Sequence, residues 1–166
     1  MTPPRARPRA AGFTLLEILV VVVILGLAAA IGYATLDRDD RGTLEREARR
    51  FAGALEYAAL RAQMRHETLG VSAQGGLWRF WRRGDDGRWV ALSGDDALAT
   101  RPLPPPVTAS ASAYAGRAIA ADDVVPLRAT GRNEPYAFVL HAGGFVATVA
   151  ADPLNRVSIA GPERAP

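Results

Sequence analysis

The chain has 166 residues, room for one modest domain, with 20 basic and 17 acidic side chains, a formal net charge of +3 and no cysteine. The missing cysteines exclude a disulfide framework, thiolate metal sites and cysteine nucleophiles. The charge excess invites a nucleic-acid or anionic-lipid reading, but Arg5, Arg7 and Arg9 stand ahead of an apolar run with no acid among them, and without them the remaining 17 basic residues match the 17 acids. The basicity therefore belongs to an N-terminal leader, residues 1–12.

From 13 to 36 the only side chain expected to be charged is Glu17. That length is about the 20 apolar residues a helix needs to cross the hydrocarbon core, so 13–36 is predicted to be a transmembrane helix. Arginines ahead of it hold the N-terminus on the cytoplasmic side and place the body of the chain across the membrane. An ordinary secretory signal fits poorly, because Gly12 precedes the apolar run and the run exceeds the usual 7–15 or so residues. Gly26, Ala30 and Ala34 recur at a spacing that lets helices approach closely. Residues 37–42, Asp-Arg-Asp-Asp-Arg-Gly, read as the exit into water.

Residues 43–67 carry Leu44, Ala48, Phe51, Leu55, Ala59 and Ala62 at helical period, behind Thr43 as a candidate N-cap and with Glu45 and Glu47 in the first turn. This amphipathic helix is expected to lay its stripe under a sheet. From Thr68 the period changes to two. "TLGVSA" and "LWRFWRR" flank Gly75-Gly76, and "GDDG" leads into "RWVALS". "RPLPPPVTASAS" begins as a stiff proline-rich link and becomes a polar strand. Residues 115–135 read as a long loop with a short strand. "YAFVLHA", "FVATVAA" and "NRVSIAG" are three more strands, and the tail after Gly161 is expected to fray. The fold class is α+β: a long N-terminal helix spine followed by an antiparallel β-sheet or β-sandwich domain over 68–166.

The string Gly12-Phe13-Thr14-Leu15-Leu16-Glu17, between a basic leader and a long apolar helix, resembles the processing signal of the type IV pilins and of the pseudopilins of type II secretion. The resemblance implies that a prepilin peptidase cuts between Gly12 and Phe13, that the new amino group of Phe13 is methylated, and that the apolar segment is kept as anchor and filament core. It also assigns Glu17 a role. A carboxylate in an apolar assembly is costly without a counter-charge, and the Phe13 amine of a neighbouring subunit supplies one, which makes the pair a registry device. The alternative is a carboxylate reaching to the membrane edge. Within the pseudopilins, the "EARRFAGALEYAALRAQ" helix, the "LWRFWRRGDDGRWVAL" hairpin, the "RPLPPPV" link and the closing "NRVSI" strand resemble the H-type minor pseudopilins and their FimT relatives in type IV pili.

No catalytic constellation emerges. His66 and His141 lack spaced metal partners. Asp85-Asp86, Asp95-Asp96 and Asp122-Asp123 lack the alternating acids of a calcium loop and read as turn residues. The serines lack a nucleophile context. No cofactor, metal or enzymatic activity is expected. In "LWRFWRRGDDGRWV" aromatic and basic residues interleave, and strand alternation puts Trp78 and Phe80 on one face, Arg79 and Trp81 on the other. Core packing with solubilising charge is the first use this admits. A protein-docking face of Arg79, Trp81 and Arg83 is the second, and nucleic-acid stacking the third and least favoured. The reading is a minor pseudopilin of a type II secretion pseudopilus that helps to export folded proteins, anchored in the bacterial inner membrane with a periplasmic β domain. Its partners are other pseudopilins, the prepilin peptidase and secreted exoproteins. The alternative is a FimT-like minor pilin of a type IV pilus that binds DNA for uptake.

Overall fold

The computed structural model describes residues 15–165, apart from the side chains at positions 31 and 33–38. The predicted leader, with Gly12 and Phe13, lies outside them. The chain divides into two compact units, Met1–Leu36 and Asp37–Pro166.

A single helix, α1 (Leu15–Arg65), occupies the stretches in which the pattern predicts two. The intervening 37–42 contains no proline, and a lone helical glycine such as Gly42 costs only about 1 kcal/mol, so no residue there forces a break. Thr43 accordingly stands inside the helix, not at its N-cap, and its hydroxyl accepts a hydrogen bond from Arg46 Nη2 at 2.9 Å. In the first unit, the leucines, isoleucines and valines between positions 15 and 27 are all exposed, from 45% at Val20 to 88% at Leu15. Among the described residues no helix is long and apolar enough to cross a membrane, and the unbroken run of described side chains ends at Ala30.

In the second unit the predicted stripe is buried: Leu44, Ala48, Phe51, Leu55 and Ala62 have no accessible surface and Ala59 only 2%, and Ala58, outside the predicted stripe, is buried with them. The helix ends at Arg65 because His66 turns left-handed (φ 53°). The Glu67 N–H then donates to the Ala62 carbonyl at 3.1 Å and the His66 N–H to Gln63 at 3.3 Å, which satisfies carbonyls that the last turn would leave open.

Ten strands follow: β1 (Leu69–Gly75), β2 (Leu77–Arg83), β3 (Trp89–Ala91), β4 (Arg101–Pro102), β5 (Thr108–Tyr114), β6 (Arg117–Ala118), β7 (Val125–Leu127), β8 (Tyr136–Ala142), β9 (Phe145–Ala151) and β10 (Val157–Arg164). They join into one sheet in the order β10-β9-β8-β5-β1-β2-β3, with β4 on β2, β6 on β5 and β7 on β1, and every neighbouring pair is antiparallel. The fold is therefore α+β with an antiparallel sheet, as the pattern predicts, and of the two predicted layouts it is the sheet. Alternation is clearest in β8 and β9, where Tyr136, Phe138, Leu140, Ala142, Phe145, Ala147, Val149 and Ala151 face inward. The core forms where these residues, with Val71, Trp78 and Phe80, meet the helix. The Phe51 ring stacks on Trp78 at 4.6 Å and meets Phe138 edge-on at 5.1 Å.

The end of the chain differs from its prediction. β10 does not fray after Gly161 but bulges between Ala160 and Glu163, and pairing resumes at Glu163 with Val146 and Arg164 with Phe145. Gly161 makes this possible: its φ of 93° suits a residue without a Cβ, and an added Cβ would lie 2.7 Å from the Val146 carbonyl oxygen.

Candidate docking face

Strand β2 separates its side chains as the period of two requires. Trp78 and Phe80 turn into the core, while Arg79, Trp81 and Arg83 share the opposite, outer face. The pairing of β1 with β2 sets Ser72 opposite Arg79 and Gly70 opposite Trp81. The pairing of β2 with β3 sets Trp89 opposite Arg83. The predicted face is thus one contiguous surface, and the fold enlarges it with residues that the hairpin sequence does not contain.

Each arginine lies over a tryptophan. The Arg79 guanidinium sits 5.3 Å from the Trp81 ring centre and that of Arg83 5.7 Å from Trp89, within range of cation–π attraction. Both rings are held from behind. Trp81 Nε1 donates to Ser72 Oγ at 2.8 Å, which fixes the ring plane. Trp89 lies across Gly70, where an added Cβ would be 2.8 Å from the ring and 2.6 Å from Val124 Cγ1. Gly70 is therefore glycine because two side chains fill the space a Cβ would need. Arg83 Nε donates to the Gly87 carbonyl at 3.3 Å.

Arg79 differs from its neighbour. Its Nε is buried and has no hydrogen-bond partner among the described residues. A buried donor left unmet costs about 1–3 kcal/mol. Other atoms of Arg79 line a groove of about 340 Å³ together with Ser72, Gln74, Leu77, Trp81, Asp122 and Val124. Asp122 and Val124 come from the loop before β7, some 40 residues beyond the hairpin, and no local signal in the sequence brings them here.

A second polar cluster closes the far end of the helix. Arg61, only 8% exposed, donates to Glu67 Oε1 at 2.8 Å and to Asp95 Oδ2. Asp95 also caps the 3-10 turn Asp96–Leu98, where its Oδ1 accepts from the Ala97 N–H at 3.0 Å. Burial opposes charge on both groups. For Arg61 the hydrogen bonds and negative charges of Glu67 and Asp95 outweigh it and raise the pKa. For Asp95 the bonds from Arg61 and the turn backbone lower the pKa. Asp95 is thus more than a solvated turn residue: it ties the loop after β3 to α1. Of the other predicted turn acids, Asp86 and Asp123 act locally, Asp86 accepting from the Arg88 N–H and Asp123 from the Ala120 N–H. The Tyr136 hydroxyl is buried without a hydrogen-bond partner among the described residues, and burial, with the charge of Glu56, raises its pKa.

Of the other predicted site residues, Glu17 is exposed in the first described turn of α1, and Gly12 and Phe13 lie outside the described residues. His66 is the helix-ending residue, and His141 is an exposed position of β8. Among the described residues no group of three or more histidines and acids could hold a metal ion.

Two family models match the chain: the prokaryotic N-terminal methylation motif over residues 7–33 and the type II transport protein GspH over residues 47–159. The type II secretion system protein H of Aeromonas hydrophila is 36% identical over 104 residues, 59% of this chain and 55% of that relative. The protein of the same name from Escherichia coli K12 is 36% identical over 91 residues, 52% of this chain and 54% of that one. The chain spans about half the length of the curated relatives it matches. Among solved structures, the minor pseudopilin EpsH of Vibrio cholerae superposes with a TM-score of 0.60 at 14% identity, over 76% of this chain and 99% of that one. The solution structure of Escherichia coli GspH gives 0.57 at 19%, over 75% and 94%. At such identities these likenesses speak for the fold alone.

Proposed function

The chain belongs to the family of the type II transport protein GspH, and from that premise we propose that it is a minor pseudopilin, a structural subunit of the type II secretion pseudopilus in the export of folded proteins. The observation that carries this reading is the order of two signals in one chain: the methylation motif at 7–33, followed by the GspH region at 47–159. Relatives named type II secretion system protein H support it. The role is structural and not catalytic.

In this reading a prepilin peptidase removes residues 1–12 on the cytoplasmic side and Phe13 becomes the methylated N-terminus. Segment 13–36 anchors the protein in the inner membrane and later packs in the filament core. The exposed apolar side chains between positions 15 and 27 support this, since such a surface needs lipid or neighbouring helices to cover it. The β domain over 68–166 lies in the periplasm. Glu17 pairs with the Phe13 amine of a neighbouring pseudopilin and sets the register between subunits. Arg79, Trp81 and Arg83 form the face that meets another pseudopilin or an exoprotein, for which their rigid stacked geometry is suited.

The test is co-expression with a prepilin peptidase, followed by mass spectrometry of the mature protein and crosslinking to the other pseudopilins. A methylated N-terminal Phe13 and crosslinks to those subunits are expected. A mature chain that begins at Met1 or after Ala30, or one that makes no such crosslink, overturns the reading.

A further inference from the structure

We propose that the face of α1 turned away from the sheet, with Gly53, Tyr57, Leu60 and Met64, is a contact for α1 of a second copy of this chain, running parallel and shifted by one heptad. This rests on the reading that residues 13–36 anchor the protein in a membrane, and adds a contact between the second units of neighbouring copies.

Positions 53, 57, 60 and 64 follow in steps of four and three, the spacing of a seam that a parallel helix covers. They lie opposite the buried stripe of Leu44, Ala48, Phe51 and Leu55, and the sheet leaves them open: Tyr57 is 42% exposed, Leu60 53% and Met64 74%. A helix that only lies on a sheet carries polar residues on that side. Gly53 stands in the interior of α1 at a cost of about 1 kcal/mol relative to alanine. Its own chain gives no reason for it, because an added Cβ would meet nothing within 4 Å. The glycine leaves a cleft of about 230 Å³, lined by Arg50, Gly53, Ala54, Tyr57 and Trp78. The charges of Asp96 and Arg101, which also line it, offset each other. Its aromatic walls are fixed, since the Tyr57 hydroxyl donates to Asp95 Oδ2 at 3.3 Å and Trp78 stacks on Phe51 at 4.6 Å.

The occupant follows from matching this face with itself. Two copies anchored in one membrane enter the periplasm from the same end of the chain, so their helices run the same way. In register, Gly53 would face Gly53 and leave the cleft empty, and Arg50 would face Arg50. Glu56 would approach Arg61 of the other copy, whose charge is already outweighed by Glu67 and Asp95. A shift of seven residues, about 10.5 Å along the axis, removes all three conflicts. Leu60 of the second copy then enters the Gly53 cleft of the first. The second copy's Met64 meets the first copy's Tyr57 ring, and its Tyr57 comes to the first copy's Arg50. On the flank, Arg49 takes the place of Glu56 beside the Arg61 cluster, which holds two carboxylates for one guanidinium. Three large side chains are too few for a stable dimer in free solution, so the contact belongs to copies that a shared membrane already holds together.

The chain has no cysteine, so introduced pairs report the contact directly. Full-length Tyr57→Cys and Met64→Cys, carrying different tags, are reconstituted together in phosphatidylethanolamine–phosphatidylglycerol vesicles and oxidised with copper phenanthroline. Both positions are exposed, and Gly53 and Leu60 stay as they are. The mixed 57–64 disulfide is expected at least about fivefold above the 57–57 and 64–64 products, because the bond forms only at short Cα separations. Adding Gly53→Leu to both chains fills the cleft and should lower the mixed product by about the same factor, with helix content unchanged. No mixed product, 57–57 and 64–64 products at its level, or a mixed product that Gly53→Leu leaves unchanged overturns the proposal. So does a disulfide to another pseudopilin in the same vesicles with none between copies of this chain. Flotation of the vesicles reads the anchor separately. Protein that floats without forming the mixed disulfide keeps the anchor and loses the contact, and protein that does not float loses both.

Discussion

Two stretches of one helix have opposite fates. Between positions 15 and 27 of α1 the large aliphatic side chains are exposed on all sides, while between 44 and 62 Leu44, Ala48, Phe51 and Leu55 are sealed against the sheet. The residue types overlap, so hydrophobicity alone does not explain the difference. What differs is the pattern. The second stretch gathers most of its apolar side chains into one stripe, which one sheet can cover. The first is apolar around its circumference, and no single layer of its own chain can cover it. A helix of that kind is completed by something outside the chain, and the two stretches therefore respond differently to the same substitution.

The largest effect is expected at the buried stretch. Leu55→Ala should destabilise the second unit by about 2–5 kcal/mol through lost transfer energy and a cavity. Leu19→Ala, a residue 61% exposed, should leave it unchanged. Urea unfolding of the full chain in detergent checks this, because Trp78, Trp81 and Trp89 all lie in the second unit and report on it alone. Equal losses from the two variants would mean that the stretches do not differ in the way described.

Gly70→Ala comes next. Its new methyl meets Trp89 and Val124 at distances no real Cβ tolerates, and overpacking of this kind costs about 1–3 kcal/mol. Trp89 should be pushed outward and its fluorescence shifted to the red while α1 keeps its helicity. Unchanged tryptophan emission would show that the outer face is looser than the contact distances imply.

These two substitutions also mark what was legible in the sequence. The stripe of α1 and the alternation of β1, β2, β8 and β9 could be read because each is a local period imposed by one covering layer. The separation of Trp78 and Phe80 from Arg79 and Trp81 follows from the same rule. The continuity of α1 through 37–42 was not legible: acidic and basic residues there look like an exit, though nothing in them breaks a helix. Nor was the return of β10 after its bulge, which depends on Gly161 meeting β9. The link from Arg61 to Asp95 and the groove that Arg79 and Asp122 both line join residues more than 30 positions apart, and such partners leave no periodic trace. The string from Gly12 to Glu17 is of another kind: it falls within the matched N-terminal methylation motif, and in the proposed function it is other proteins that read it.

Asp95→Asn should have a smaller effect, about 1–2 kcal/mol near neutral pH, because Arg61 keeps Glu67. Its pH dependence is the sharper test. The folded-state pKa of Asp95 is lowered below its ordinary value of 3.8, so its stabilisation is complete above that value and is lost as pH falls through the lower folded-state value. The wild type should therefore lose stability below about pH 4, where the unfolded chain takes up the Asp95 proton before the folded protein does. The asparagine variant should lack that component, so that the difference between the two shrinks as the pH drops. A gap that stays constant down to pH 2 would mean that Asp95 acts by shape and not by charge.

Glu17→Ala should have the smallest effect on the folded domain, none that tryptophan-detected unfolding can measure, and yet a large one on assembly. Glu17 is an exposed residue of the first described turn of α1 and makes no contribution to the core of the second unit. Removing its charge also makes segment 13–36 easier to hold in lipid, so membrane retention and cleavage before Phe13 should be undiminished. If the carboxylate instead answers the Phe13 amine of a neighbouring subunit, the alanine variant leaves that amine without a counter-charge in an apolar assembly. Loss of one partner from a buried pair costs about 3–5 kcal/mol. That is enough to exclude a subunit competing for its place in a filament, where about 1.4 kcal/mol is already a tenfold preference. Crosslinking to other pseudopilins, or recovery in sheared filaments, should fall while the processed protein stays constant. Glu17→Asp, which shortens the reach but keeps the charge, should restore part of the yield. Assembly of Glu17→Ala at the wild-type level would leave the carboxylate as an edge charge reaching for water, and the exposed stretch of α1 would then be covered without any register set by charge.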